Sequence, residues 1–264
     1  MIRRIIPIIF LSLTAFVSLD AKSQVTETND INHAAEYLEE HTLFVFDLDN
    51  TLIETAQHLG SDQWFSHQLE SHLAQGHTIQ ETLDQVLPKL GFIYNKTDMR
   101  LVDSSVPDLL KRMKQKHVYM IGLTKRGPEF AKRTLEQLES VEIDFSQTAY
   151  FKESFVFDEL KGSLYQNGVI FIADNGDKGP HMEAFLNRLS EKPKKIVMID
   201  DKLSHVESVA RAVEKLDIPF IGIRYGAADE RVKNFDPKVA ELQWNLLHKI
   251  ISDEEALQLM DLKR

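Results

Sequence analysis

The chain has 264 residues, of which 43% are hydrophobic and 27% are charged, and its net charge at pH 7 is −10. Such a length and composition are those of a globular protein with one large domain, or with one domain and an insert. The negative charge gives no electrostatic basis for binding nucleic acid, and the lack of cysteine excludes disulfides and thiolate chemistry.

The first 21 residues have the pattern of a secretory signal peptide. Arg3 and Arg4 form a basic start, an apolar run of 15 residues follows, and Ala21 offers a small residue for cleavage. The run is short for a membrane span. Removing residues 1–21 takes away two arginines and one aspartate, which changes the net charge from −10 to −11. We therefore expect an exported protein, periplasmic or secreted, with no stable membrane insertion after cleavage; an uncleaved anchor is the alternative.

The next segment leads into a strand that ends in acidic residues. Residues 22–40 are polar and predict a loose lead-in with a short helix, and the apolar run 43–46 predicts a buried strand. Asp47 and Asp49 follow at positions i and i+2, which lie on one face of an extended chain. Both carboxylates can therefore reach one point past the strand, at the edge where ligands bind in open α/β sheets. Because adjacent carboxylates repel, we expect a cation there, and Mg²⁺ takes such oxygen ligands. A chance occurrence among 41 acidic residues is the alternative.

Residues 54–105 are too long for a simple loop and contain helix signals. Ser61 can cap a first helix, and residues 78–81 form a capping box for a second helix, which Pro88 and Gly91 are expected to end. Because the segment directly follows the first acidic strand, we expect a small helical insert that covers the active edge as a cap.

The rest of the chain alternates between strands and helices. Residues 141–167 predict a loop and a short hairpin, and a helical tail begins at Pro237. Further buried strands are predicted at 117–123, 168–173, 195–199 and 219–223. This order predicts an α/β fold, a Rossmann-like parallel sheet with helices on both faces. The expected core comprises residues 22–53 and 106–264, and the expected cap comprises residues 54–105.

Polar residues at these strand ends form a series of motifs: Asp47-Leu48-Asp49-Asn50-Thr51, Thr124, Lys178 and Asp200-Asp201. In their order and strand context, over about residues 43–225, the chain resembles the haloacid dehalogenase-like (HAD) superfamily of phosphohydrolases. It also resembles an exported bacterial branch of that superfamily. The resemblance implies a Mg²⁺-dependent phosphomonoesterase that acts on a small phosphorylated substrate through an aspartyl-phosphate.

The resemblance also implies a role for each motif residue. Asp47 would be the nucleophile, Asp49 the general acid and base, and Thr124 a ligand of the phosphate. Lys178 would neutralise the charge of the nucleophile and the phosphate. The implied metal ligands are Asp47, Asp49, Asp200 and Asp201. Thr51 is expected to bond within its own motif loop.

Two alternatives concern single residues. Lys161 and Lys195 compete with Lys178 for the role of the buried cation, and the position of Lys178 at the start of a helix favours it. Many members of the superfamily carry another Asp or Asn about four residues past the acidic pair, whereas Ser204 and His205 stand there in this chain. His205 is expected at the surface or at a helix cap.

Two other classes of function compete with a phosphatase. A phosphate-accepting receiver domain would carry its acidic pair and its acceptor Asp in the reverse order, and an export signal does not suit it. A catalytically weak or silent HAD-fold protein, exported to bind in the envelope or to a host, is the main alternative. The physiological substrate and the oligomeric state are not specified by the sequence.

Overall fold

In a computed structural model, residues 23–116, 118–246 and 252–261 are described. The predicted signal peptide, residues 1–21, lies outside these residues, as does His117 at the start of the second predicted strand. Within the described ranges, no helix is both long and apolar enough to cross a lipid bilayer.

Strands and helices alternate along most of the chain, as the sequence predicts. The strands are β1 (Ser23–Thr28), β2 (Thr42–Phe46), β3 (Ile53–Thr55), β4 (Met99–Leu101), β5 (Tyr119–Thr124), β6 (Phe155–Phe157), β7 (Ser163–Gln166), β8 (Val169–Phe171), β9 (Lys195–Asp200) and β10 (Phe220–Tyr225). The α-helices are α1 (Asp62–Ala74), α2 (Ile79–Tyr94), α3 (Val106–Gln115), α4 (Ala131–Ser140), α5 (Lys178–Arg188), α6 (Leu203–Glu214), α7 (Asp229–Lys233), α8 (Pro237–Asn245) and α9 (Asp253–Asp261).

The central sheet has eight strands in the order β1-β10-β9-β2-β5-β8-β7-β6. The first six in this order are mutually parallel, and at one edge β7 pairs antiparallel with β8 and β6 pairs antiparallel with β7. The α/β prediction with a mostly parallel sheet is therefore confirmed. The short strands β3 and β4 pair with each other in a separate antiparallel ribbon, and α1 and α2 lie between them in the chain.

Strand β2 shows why the sheet is buried on both faces. Phe44 and Phe46 pack into one hydrophobic cluster, while Leu43 and Val45 pack into another on the opposite face. Since both faces are covered, the strand is a continuous apolar run instead of an alternating one. Its position between β9 and β5 places Asp47 near the middle of the sheet edge.

Two local predictions are wrong. The expected loose lead-in contains β1, an edge strand that pairs in parallel with β10. Its residues are largely exposed, so the apolar run that reveals a buried strand is missing. Helix α2 continues through Pro88 and Gly91 to Tyr94. Proline removes one backbone hydrogen bond, and the burial of Leu90 and Tyr94 beyond it stabilises the last turns.

Candidate active site

Three parallel strands bring the predicted residues to one edge of the sheet. Asp47 follows β2, Thr124 ends β5 and Asp200 ends β9, and β2 lies between the other two strands. Lys178 is the first residue of α5. These four side chains come from separate parts of the sequence, and each is less than 9% exposed. These side chains lie close together because neighbouring parallel strands end at the same edge of the sheet.

Lys178 connects two of the carboxylates. Its Nζ donates to Asp47 Oδ1 at 2.5 Å and to Asp200 Oδ2 at 2.7 Å, and its side chain is fully buried. Burial alone would lower the pKa of the lysine, but Asp200 and Asp47 outweigh burial and raise it above its usual value. The ammonium therefore stays charged inside the protein.

The two carboxylates of this cluster differ in their titration. Burial raises the pKa of Asp47 to about 6, against the opposing effect of Lys178. Burial acts in the same sense on Asp200, but Lys178 and His205 outweigh it and hold the pKa of that carboxyl at about 2. Asp200 also accepts the backbone N–H of Lys202 at 2.9 Å. Asp200 is thus a fixed negative charge beside the candidate nucleophile.

A group of possible metal ligands lies at the end of β9. One ligand atom from each of Asp200, Asp201 and His205 lies within 4.8 Å of the others. Burial, and then the charges of Asp47 and Asp200, raise the pKa of Asp201 to about 9. Burial and the neighbouring carboxylates raise the pKa values of Asp47 and Asp201, so without a further cation these groups are not favoured in the charged form beside Asp200. A divalent cation with oxygen ligands fits this set of donors.

His205 lies inside the site, and its expected place at the surface or at a helix cap is wrong. Its Nδ1 is 3.0 Å from Asp200 Oδ1, and its side chain is 15% exposed. The residue stands in the first turn of α6, which starts directly after the acidic pair. Its spacing from Asp200 and Asp201 was the available signal, because a helix that starts at a strand end returns its first turn to that end.

Asp49 is held on the other side of the site by Arg126, a residue that the sequence reasoning missed. The guanidinium donates to both carboxylate oxygens, from Nε to Oδ2 at 2.8 Å and from Nη2 to Oδ1 at 2.6 Å. The carboxylate of Asp49 thus pairs with Arg126 and does not join the group of Asp200, Asp201 and His205. Arg126 lies two residues after Thr124, the same spacing that relates Asp47 to Asp49, and this spacing was the available signal.

Arg126 is itself fixed from three directions. Its Nη1 donates to Gln137 Oε1 at 2.8 Å and to Thr134 Oγ1 at 3.2 Å, both on α4. Its guanidinium carbon lies 4.5 Å from the centre of the Tyr94 ring, at the end of α2. The side chain of Arg126 is 3% exposed. The Asp49–Arg126 pair therefore joins the sheet edge to α4 and to the end of the inserted helices.

Two threonines complete the polar surroundings. Thr51 Oγ1 donates to Asp47 Oδ2 at 3.2 Å and accepts from the Asp201 backbone N–H at 3.1 Å, so it bonds its own motif loop and the loop after β9. Thr124 Oγ1 accepts from the Arg126 backbone N–H at 3.1 Å. An accepted bond leaves the hydroxyl hydrogen of Thr124 available to donate to a ligand.

The two competing lysines lie elsewhere. Lys161 is 73% exposed and lies 3.4 Å from Asp174, and Lys195 pairs with Glu39 at 2.7 Å. Among the three lysines that the sequence allows for the buried cation, Lys178 is the one that contacts Asp47.

A cleft of about 190 Å³ opens above Asp47. One side is polar and is formed by the loops after β2, β5 and β9. The opposite side is largely apolar and includes Phe65 and Leu69 from α1 and Leu90 from α2. The volume is below the roughly 300–1,000 Å³ of pockets that bind drug-sized ligands, so the cleft suits a compact molecule.

The end of α2 is fastened to α4. Arg133 Nε and Gln137 Nε2 donate to the carbonyl of Tyr94, at 2.8 and 3.3 Å, and both side chains also donate to the carbonyl of Thr97. The carbonyl of Tyr94 is one that the helix end leaves without an intrahelical partner, and Thr97 lies in the loop that follows. The wall that α2 contributes to the cleft is thus held in place against the sheet domain.

Fold and site together define an α/β protein with a buried lysine–carboxylate centre at the carboxyl edge of a parallel sheet. The chain belongs to the family described as "Protein of unknown function (DUF2608)", whose model matches residues 24–257. No solved structure matches the chain significantly.

Its relatives match over most of their length. A protein of Chlamydia trachomatis serovar D, named "Putative outer membrane protein", is 25% identical over 96% of this chain and 95% of its own. A Chlamydia pneumoniae protein with the same description is 26% identical over 94% of each chain. An uncharacterized protein of Rickettsia prowazekii is 25% identical over 78% of this chain and 77% of its own.

Proposed function

We propose that this protein is a metal-dependent phosphomonoesterase of the HAD-like type, which acts on a small phosphorylated substrate through an aspartyl-phosphate on Asp47. One observation carries the proposal: the buried Lys178 Nζ contacts both Asp47 and Asp200 at the edge of the sheet, beneath an open cleft. Asp47 lines that cleft while Lys178 and Asp200 lie buried behind it, and a purely structural ion pair has no need to present a carboxylate to a cleft.

In the first step, a carboxylate oxygen of Asp47 attacks the phosphorus, and the bond from phosphorus to the leaving oxygen breaks. Thr51 and Lys178 bond the two oxygens of Asp47 and orient them for this attack. Asp49 gives a proton to the leaving alkoxide. Lys178 and the hydroxyl of Thr124 stabilise the negative charge on the phosphoryl oxygens.

In the second step, Asp49 takes a proton from water, the water oxygen attacks phosphorus, and the bond to Asp47 breaks, which releases phosphate. General acid–base assistance of this kind contributes about 10²–10⁴ in rate. For this proton transfer, one oxygen of Asp49 has to leave Arg126 while the other stays bonded.

Asp47, Asp200 and Asp201 are the residues that would hold the metal, for which the HAD-like resemblance suggests Mg²⁺. When bound, a divalent ion of this kind neutralises charge on the transferring phosphoryl group. The raised pKa values of Asp47 and Asp201 support this part of the proposal, because a bound divalent ion would favour the charged form of both carboxyls.

The Asp49–Arg126 pair is the observation that favours the alternative, a catalytically silent binding protein. With both oxygens occupied, Asp49 in this arrangement donates no proton to a substrate. The intact centre at Asp47, Lys178 and Asp200 favours the enzyme, because a binding protein has no need of a nucleophile beside a buried ammonium.

We also propose that the protein is exported. The basic start and apolar run of residues 1–21 support this, and so do the relatives named as outer membrane proteins. An exported enzyme would act on substrates that lie outside the cytoplasm.

The test of the proposed function is hydrolysis of p-nitrophenyl phosphate by the purified protein. We expect Mg²⁺-dependent release of nitrophenol that excess chelator abolishes and that Asp47→Asn eliminates. Lys161→Met is the matched surface control and should keep full activity. Equal release by the wild type and Asp47→Asn would exclude the mechanism.

A further inference from the structure

The group of possible metal ligands at the end of β9 contains a nitrogen donor. Asp200 and Asp201 offer carboxylate oxygens, and His205 offers a ring nitrogen within 4.8 Å of them. His205 also lines the cleft above Asp47. An ion that enters this cleft therefore meets an imidazole as well as carboxylates.

We propose that His205 is a metal ligand, and that it makes the site bind ions such as Co²⁺ and Ni²⁺ in preference to Mg²⁺. This inference rests on the proposed function, since it concerns the metal of the same site. Imidazole is a good ligand for the later transition metals, whereas Mg²⁺ takes oxygen ligands and keeps much of its water. One nitrogen donor therefore favours the binding of the later transition metals over that of Mg²⁺.

The surroundings of His205 hold its ring in place for this role. The residue lies in the first turn of α6, and the loop before it is fixed by the Lys202 backbone N–H on Asp200. Its Nδ1 contacts Asp200 Oδ1 at 3.0 Å, so the ring already lies against one of the carboxylates. A ligand that is held before the metal arrives loses little conformational entropy when the metal binds.

Asp200 can bind the ion and keep its contacts with Lys178 and Lys202. Asp200 uses Oδ2 for Lys178 and Oδ1 for Lys202 N–H and His205. A carboxylate has about four acceptor positions on its two oxygens, so Oδ1 can exchange the histidine contact for a metal. Asp201 Oδ2 accepts one bond, from Asn50 Nδ2 at 3.3 Å.

A competing role for His205 is to orient Asp200 through their contact, with no bond to the metal. In that case the removal of His205 would weaken the binding of every ion to a similar extent, because all of the ions bind Asp200. The two roles therefore predict different patterns across ions, which a comparison of Co²⁺ with Mg²⁺ separates.

The experiment is calorimetric titration of the metal-free protein with Co²⁺ alone and with Mg²⁺ alone. His205→Asn should lower the affinity for Co²⁺ at least about tenfold, as the loss of groups that support a metal site does. The same variant should change the affinity for Mg²⁺ less than about threefold. His33→Asn, which removes a histidine paired with Glu36 elsewhere, should change neither. Equal weakening of both ions by His205→Asn, or no weakening, overturns the proposal.

One further measurement keeps the test decisive if the variant does not fold. Pulsed electron paramagnetic resonance of Mn²⁺ bound to the wild type should show coupling to a directly bound nitrogen, and its absence overturns the proposal even if the variant fails to fold. Hydrolysis is not needed for either readout. A wild type that binds Co²⁺ through His205 but hydrolyses no phosphomonoester would retain the metal ligand and overturn the proposed function alone.

Discussion

Replacing Lys178 with methionine tests the electrostatics of the site. Methionine follows the path of the lysine stem but carries no charge, so Asp47 and Asp200 would face each other without their shared cation. With an effective dielectric constant of about 20, each contact at 2.5–2.7 Å corresponds to roughly 6 kcal/mol of Coulomb attraction. Desolvation of the buried ammonium offsets much of this sum, and breaking such a pair typically costs about 3–5 kcal/mol.

The loss of stability in Lys178→Met should depend on pH in a defined direction. In the wild type, the pKa of Asp200 is held at about 2, so its stabilisation is complete above the unfolded value near 3.9 and is lost only as pH falls further. In Lys178→Met, the folded pKa of Asp200 should rise above 3.9, and that of Asp47, which is already about 6, should rise further. Their penalty is therefore small near pH 4 and grows as pH increases.

The assay is urea unfolding of the wild type and Lys178→Met at several pH values between 4 and 8. Lys161→Met is the matched control, since its ammonium is exposed and its loss should cost no more than about 0.5 kcal/mol. We expect the deficit of Lys178→Met to grow toward about 3–5 kcal/mol at pH 8, with loss of phosphatase activity. A deficit that equals the control, or that does not change with pH, would refute the reasoning.

Three other predictions concern different parts of the chain. His58 Nε2 contacts Asp253 Oδ2 at 3.1 Å, and the hydrogen bond to Asp253 raises the pKa of His58. Burial alone would raise the pKa of Asp253, but the hydrogen bonds from His58 and Gln243 and the charge of His58 together outweigh burial and lower it. The pair should therefore stabilise most between about pH 4 and 6.5, so that His58→Gln lowers the melting temperature by up to about 2–4 °C at pH 5.5 and by less at pH 9. Lys125 lines the cleft, and its pKa is lowered by burial and then by the charges of Lys202 and Lys178. Lys125→Met should raise KM for an anionic phosphomonoester. Lys132→Met, a change at the surface, should leave KM unchanged. Protein from the native host should begin near Lys22, and N-terminal sequencing that finds intact Met1 would contradict export.

The parts of the fold that the sequence predicts are those with strong local signals. Strands β2, β5 and β9 are apolar runs that end in polar residues, and the parallel arrangement then brings Asp47, Thr124 and Asp200 together. The edge strand β1 has no such run, because one of its sides faces solvent. Its place is set by pairing with β10, far away in the chain.

The parts of the site that the sequence misses depend on distant contacts. The role of Arg126 follows from Asp49, Gln137 and Tyr94, none of which is its neighbour in sequence. His205 contacts Asp200 because α6 starts immediately after β9 and turns back over the acidic pair. Spacing within a motif suggests which residues share an edge of the sheet, but packing decides which of them contact each other.

The central claim, a covalent intermediate on Asp47, is tested most directly with Asp49→Asn. The variant keeps the shape of the side chain but cannot take a proton from water, so the second step should stall while the aryl leaving group departs without an acid. Mass spectrometry of the intact variant, incubated with p-nitrophenyl phosphate and Mg²⁺, should show one added phosphoryl group that maps to Asp47, together with a burst of nitrophenol. A folded variant with no adduct and no burst would contradict the account.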